Sequence, residues 1–141
     1  MKDTIPDGFV PHFRKSGLTD PWEPLYSRNT GDAIQIGLLA GPAHANSRGF
    51  VHGALISALA DNAMGLSCGI TAEGVSGFVT VGLSVDFLST ARLGQWLEIR
   101  PTVLKVGRSL SFCAATIHAD DKICARADAT FSAVKTKSET A

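Results

Sequence analysis

One carboxylate stands alone in a long apolar stretch of this chain. Between His52 and Glu73 the only formally charged side chain is Asp61, near the middle of a helix candidate that starts at Gly53 and ends near Gly69. Leu55, Ile56, Leu59, Ala60, Ala63, Met64 and Leu66 place apolar groups on every side of that helix, the pattern of a helix buried in a core. Burying an ionised carboxylate costs several kcal/mol or more unless it is paired, hydrogen-bonded or shifted in pKa. A structural hydrogen bond is one sufficient answer. Chemistry is suggested by the helix start, where His52-Gly53 leaves backbone N–H groups unpaired at the positive end of the helix dipole. Asn46 adds an amide donor six residues earlier. A carboxylate, an anion-favouring helix terminus and an amide together suit acyl chemistry.

Geometry limits how they can cooperate. Gly53 and Asp61 are eight residues apart, roughly 12 Å along a helix axis, so one carbonyl cannot easily touch both on the same helix even though Asp61 leans toward the N-terminus. A two-fold dimer with antiparallel helices would set Gly53 of one chain beside Asp61 of the other, twice.

The elements that must hold these groups are legible on either side. Residues 1–31 contain Phe9, Phe13, Leu18, Trp22, Leu25 and Tyr26, interrupted by Pro6, Pro11, Pro21 and Pro24, which predicts an arm of short helical turns packed on the body. Such an arm could wall a ligand pocket, but packing alone accounts for it. From Asp32 a period of two with Ile34, Ile36 and Leu38 predicts a strand, ended by Gly41-Pro42. After the helix, Val79, Val81, Leu83, Val85 and Phe87 alternate with polar residues, as in a long half-buried strand. A third strand carries Leu97, Ile99 and Val103, with Pro101 marking an edge or a bulge, and a fourth carries Leu110, Phe112, Ala114 and Thr116. The last alternates Ile123, Ala125, Ala127, Ala129, Phe131 and Ala133. Short turns between the last four strands favour an antiparallel meander, and the apolar helix is the one partner for its apolar face. The expected architecture is α+β, a curved sheet around one helix over residues 32–134, with a polar tail at 135–141.

At 141 residues the chain fits one domain. Formal net charge is zero, which gives no reason to expect nucleic acid or an anionic membrane as partner. Hydrophobic residues make up 45% and charged ones 18%, a balance that hints at surface hidden in an oligomer. Cys68, Cys113 and Cys124 are odd in number, lack C-x-x-C spacing and read as reduced core residues of a cytoplasmic protein. The start of the chain carries no apolar signal core, and no run approaches a membrane span.

Asn46-x-x-Gly49-x-x-His52-Gly53, then Leu59-x-Asp61, Thr80-Val81 at a strand and Gly107-Arg108 in a later turn resemble the hotdog-fold acyl-CoA thioesterases of the phenylacetic-acid-pathway (PaaI-like) type. The resemblance covers roughly residues 25–134; the second glycine often found after His-Gly is Ala54 here. It implies a hotdog fold and hydrolysis of an acyl-CoA or aryl-CoA thioester by a homodimer, assembled as a dimer of dimers, with no cofactor, coenzyme A being part of the substrate. The Gly53 N–H would hold the thioester oxygen, and Asp61 from the partner subunit would act as general base or attack directly. Asn46 and His52 would shape the loop or touch the reacting groups, and Thr80 would orient water or hydrogen-bond Asp61. For coenzyme A the resemblance points to Arg48, Val81, Lys105, Gly107, Arg108 and Ser109.

A competing reading is a non-catalytic hotdog module that binds acyl-CoA or acyl carrier protein. A binder has no need of a carboxylate facing the thioester. A hotdog hydratase would carry an acid in the loop before the helix, and that loop offers only Asn46 and His52. The Gly74–Gly77 turn lacks G-x-S-x-G spacing, there is no phosphate-binding glycine loop, and His12, His44, His52 and His118 have no metal-like spacing.

Overall fold

The computed structural model describes residues 5–135; apart from Lys135, the tail expected at 135–141 lies outside them. One α-helix, α1 (Gly53–Gly69), is wrapped by seven antiparallel strands: β1 (Val10–Pro11), β2 (Tyr26–Asn29), β3 (Ile34–Leu39), β4 (Val75–Phe87), β5 (Trp96–Val106), β6 (Leu110–Ala119) and β7 (Lys122–Lys135). They lie in the order β1-β2-β3-β5-β6-β7-β4. The first strand after the helix is therefore an outer edge. This is the hotdog arrangement of sheet and helix that the sequence predicts, enlarged by β1 and β2.

The core forms where the helix meets the concave face of the sheet. Leu59, Met64 and Cys68 of α1 pack there with Leu97 and Ile99 of β5, Ile117 of β6 and Phe131 of β7, all buried. Each large side chain so buried is worth about 1.5–3 kcal/mol. Ala125, Ala127 and Ala129 bring β7 close to the core without bulk. The β6–β7 hairpin turns on Asp120 and Asp121, both at positive φ (48° and 68°), the left-handed pair that a two-residue turn joining twisted strands requires and that Asp tolerates. All three cysteines are free and buried. The Cys113 thiol is pushed well up by its hydrogen bond with Cys68 and by burial. No helix among the described residues is long and apolar enough to cross a membrane.

Two expectations change, and the one for Pro101 is met by a local edge. The arm holds a single 3-10 turn, Asp20–Trp22, and two short strands, β1 and β2, that extend the sheet; its prolines hid them because strands this short are defined by their partners, not by their own pattern. Pro101 lies in an interior strand, but the ladder between β3 and β5 stops at Ile36–Ile99, so proline stands where β5 has no further partner on that side. The second change concerns β4. Its apolar row is not half-buried: Val79, Val81, Leu83 and Phe87 are 56%, 58%, 41% and 53% exposed.

Candidate functional site

The helix is buried on one side only. Leu55, Ile56, Leu59, Ala60, Ala63, Met64, Ser67 and Cys68 face the core, while Gly53, Ser57, Asp61 and Gly65 follow one another at four-residue spacing along a half-buried face, with Gly69 exposed beyond them. Asp61 is thus half-buried rather than enclosed by apolar neighbours. Its compensation is a hydroxyl, for Thr80 Oγ1 donates to Asp61 Oδ1 at 2.6 Å.

Thr80 reaches the helix because β4 changes parity. Its register against β7 runs Thr80↔Phe131 and then Gly82↔Thr130, leaving Val81 as an extra residue in a β-bulge. Before the bulge Phe78 packs on the core and Thr80 points at Asp61; after it, Val85 packs on the core and Phe87 touches the helix start. A bulge of this kind turns one strand's alternation over in mid-course.

At the other end of that helix face, the backbone is prepared as a donor. His52 is the N-cap, its Nδ1 accepting the Ala54 N–H at 2.9 Å, which leaves the imidazole proton on Nε2. The Gly53 N–H, first in the helix, donates to no group among the described residues. A Cβ at Gly53 would stand 3.1 Å from the Phe87 ring, a tight contact that this exposed ring relieves by shifting a few tenths of an ångström. Asn46 Oδ1 accepts from the N–H groups of Arg48 and Phe50 at 2.9 and 3.1 Å, fixing the turn before the helix and leaving its amide NH₂ free of bonds among the described residues. His44 ties this loop to the arm, with Nδ1 accepting from Gly41 N–H and Nε2 donating to Trp22 O at 2.8 Å.

Asp61 and Thr80 open on a groove of about 380 Å³. Its floor is the exposed helix face through Asn62, Gly65 and Gly69; β4 supplies Val75–Phe78, and the arm supplies Phe13 and Arg14. Two segments at opposite ends of the sheet order therefore reach the same groove. A Cβ at Gly65 would come within 3.3 Å of the Phe131 ring, so glycine keeps the floor low.

Within one chain the structure brings Asp61 and Thr80 together and, separately, Asn46, Arg48, His52 and Gly53. It does not join the two groups. Gly107, Arg108 and Ser109 form the β5–β6 turn and Lys105 lies near the end of β5 beside it; the register places Thr80 two strands from Ser111, roughly 10 Å across the sheet, and that turn lies a few residues further along. Val81 is the exposed bulge residue. Phe13 belongs to the aromatic arm that the sequence offers as a wall for a ligand pocket; Arg14, Asn62 and Phe87 were not indicated as site residues, though Asn62 adjoins Asp61. Among the described residues no three His, Cys, Asp or Glu side chains converge as a metal site.

Residues 48–125 match the Thioesterase superfamily. A provisionally named esterase of Pseudomonas aeruginosa is 36% identical over 128 residues, which span 90% of this chain and 96% of that protein. Human acyl-coenzyme A thioesterase 13 is 34% identical over 74 residues, 52% of each chain. Among solved structures, a hypothetical thioesterase of Streptococcus pneumoniae with coenzyme A superposes with a TM-score of 0.74 at 19% identity, over 82% of this chain and 92% of that one; at that identity the likeness is one of fold.

Proposed function

This chain belongs to the thioesterase superfamily and is a thioester hydrolase, and from that premise we propose that it cleaves acyl-CoA or aryl-CoA thioesters to the free acid and CoA at a site shared by two subunits. The observation that carries the reading is the half-site at Asp61: a carboxylate held by Thr80 at one oxygen, opening on a groove, with the unpaired Gly53 N–H some 12 Å up the same helix face. Pairing two such faces antiparallel gives each Asp61 a Gly53 of the partner subunit. The open edge of β4, with Val79, Val81, Leu83 and Phe87 exposed, is the surface such a dimer would cover, since an unpaired apolar edge invites a second strand.

In this arrangement Asp61 Oδ1 accepts from Thr80 while Oδ2 faces the substrate. As general base it removes a proton from water, whose oxygen attacks the thioester carbonyl carbon; the Gly53 N–H of the partner subunit holds the developing oxyanion. The carbon–sulfur bond then breaks and the CoA thiolate leaves, taking a proton. Direct attack by Oδ2, giving a mixed anhydride that water hydrolyses, uses the same geometry. Asn46 and His52 support the oxyanion loop, His52 as the cap that orients the first helical N–H groups. Arg48, Val81, Lys105, Gly107, Arg108 and Ser109 are the candidate contacts to coenzyme A, with Arg and Lys suited to its phosphates. No separate cofactor enters the scheme.

The test is Asp61→Asn, expected to lower kcat for acyl-CoA by about 10²–10⁴-fold with the fold retained. Mixing these chains with Gly53→Pro chains, which lack the N–H at a helix position that accepts proline, should restore about a quarter of wild-type activity. Half of randomly formed dimers are hybrids with one intact site. Wild-type turnover in Asp61→Asn removes Asp61 from the mechanism; no restoration on mixing refutes the shared site.

A further inference from the structure

The wall contributed by the arm has no part in the scheme above, yet it is firmly anchored. Phe9 packs edge-on against Trp96 with ring centroids 5.1 Å apart, and the Arg28 guanidinium lies over Phe9 at 4.4 Å. Arg28 also donates to Asp7 O at 2.8 Å and lies 3.6 Å from the buried Glu98. Further on, the His12 N–H donates to Leu25 O at 2.9 Å and Lys15 pairs with Glu23 at 3.0 Å. Phe13 and Arg14 sit between these fastenings. Phe13 is 59% exposed, so the arm is not held in place by burying it; the anchors hold the arm, and the arm presents these two side chains to the groove.

The lining of the groove gives Arg14 a distinct role. Among the described residues two charged side chains line it, Asp61 and Arg14; the others are mainly glycines and apolar side chains, among them Leu66, Ile70, Phe78 and Phe131. Among the described residues Arg14 forms no ion pair. If the thioester sits at Asp61, its acyl group extends into a channel with aromatic walls and, among the described residues, one cation without an ion-pair partner, Arg14. The floor from Asp61 to Gly69 is roughly 12 Å long, enough for an acyl group of several carbons. Guanidinium recognises carboxylate through two parallel charge-assisted hydrogen bonds.

We propose that Phe13 and Arg14 form the acyl-selecting wall of this enzyme, and that Arg14 favours acyl groups ending in a carboxylate, the CoA monothioesters of dicarboxylic acids. The inference rests on the hydrolase reading and deepens it. Matched esters test it: adipyl-CoA and hexanoyl-CoA have the same chain length and differ in the terminal charge. The ratio of their kcat/KM values should be about two to five in the wild type, the scale of an exposed charge pair. It should fall to about one in Arg14→Gln, drop below one in Arg14→Glu, and stay in between in Arg14→Lys. The wild-type ratio should also shrink as salt is raised from low ionic strength to about 0.5 M, because the pair is screened. A wild-type ratio of one or less, or a ratio unmoved by Arg14→Glu, overturns the assignment while leaving the hydrolase intact. No wild-type turnover of either ester, with an aryl-CoA thioester still hydrolysed, overturns the Arg14 assignment alone; no turnover of any of the three overturns both readings.

Discussion

β4 and β7 lie side by side, are of similar length (13 and 14 residues) and both alternate apolar with polar residues, yet they meet opposite fates. β7 has a partner on each side and buries Ala125, Ala127, Ala129 and Phe131. β4 pairs along one edge only and leaves most of its apolar row exposed. Alternation thus identifies a face without saying what covers it. For β7 the cover is the chain's own helix; for β4 a bulge sends a hydroxyl to the helix from one half of the strand, and its outer edge has no partner strand among the described residues.

The sharpest way to break the comparison is to put the same charge on both strands at one register position. Leu83 and Ala129 are directly paired. Ala129→Asp buries an unpaired carboxylate, at a cost of several kcal/mol against a total stability of about 5–15 kcal/mol, and should leave the chain unfolded or aggregated by circular dichroism. Leu83→Asp should stay folded but run as a monomer by light scattering, with acyl-CoA hydrolysis down at least about a hundredfold, the scale of losing an oxyanion donor. A fully active dimer of Leu83→Asp would mean that the edge of β4 is not the interface.

A smaller effect probes the bulge. Thr80→Val keeps the β-branched shape and removes only the donor to Asp61; a hydrogen bond to a charged group is worth about 1.5–3 kcal/mol, so kcat should fall by about ten- to a hundredfold with little change in thermal stability. Unchanged kcat would reduce the inward turn of Thr80 to packing.

The smallest effect lies away from both strands and serves as their reference. His12 is buried, and that burial holds its imidazole below the ordinary value of 6.5. The unfolded chain therefore takes up a proton near pH 6.5 while the folded arm resists it, so stability present above that pH is lost as pH falls toward the lower folded value. Thermal scans at pH 7.5 and 5.5 should show a loss in the wild type that His12→Leu reduces by a degree or two, about the size of a small fraction of a kcal/mol. An equal loss in both would assign the pH dependence elsewhere.

Much of this was legible from the sequence. The helix could be read from Gly53 to Gly69 because its composition and its punctuation agree, and β3 and β5–β7 could be read because their partners are neighbours in the chain or their faces are buried. Asp61 stood out as a lone charge in an apolar run. What could not be read depends on pairing across long separations. The extra residue at Val81 exists only relative to β7, some fifty positions later; without it Thr80 seems to point away from the Val and Leu row. Phe13 was foreshadowed by the aromatic arm, but nothing in the sequence singled out Arg14, which meets Asp61's groove only because the segment after β1 and β4, at opposite ends of the strand order, both border it. The shared site rests on helix arithmetic alone, Gly53 and Asp61 lying eight residues, roughly 12 Å, apart along α1, and the hybrid-dimer experiment is what tests it.

The extra residue between Thr80 and Gly82 also sets a rule for altering this chain. Swapping Val81 for another side chain leaves the count unchanged, whereas removing it would rotate everything upstream by half a turn, sending Phe78 outward and withdrawing the hydroxyl from Asp61. Strand length at that point constrains variation more tightly than residue identity does.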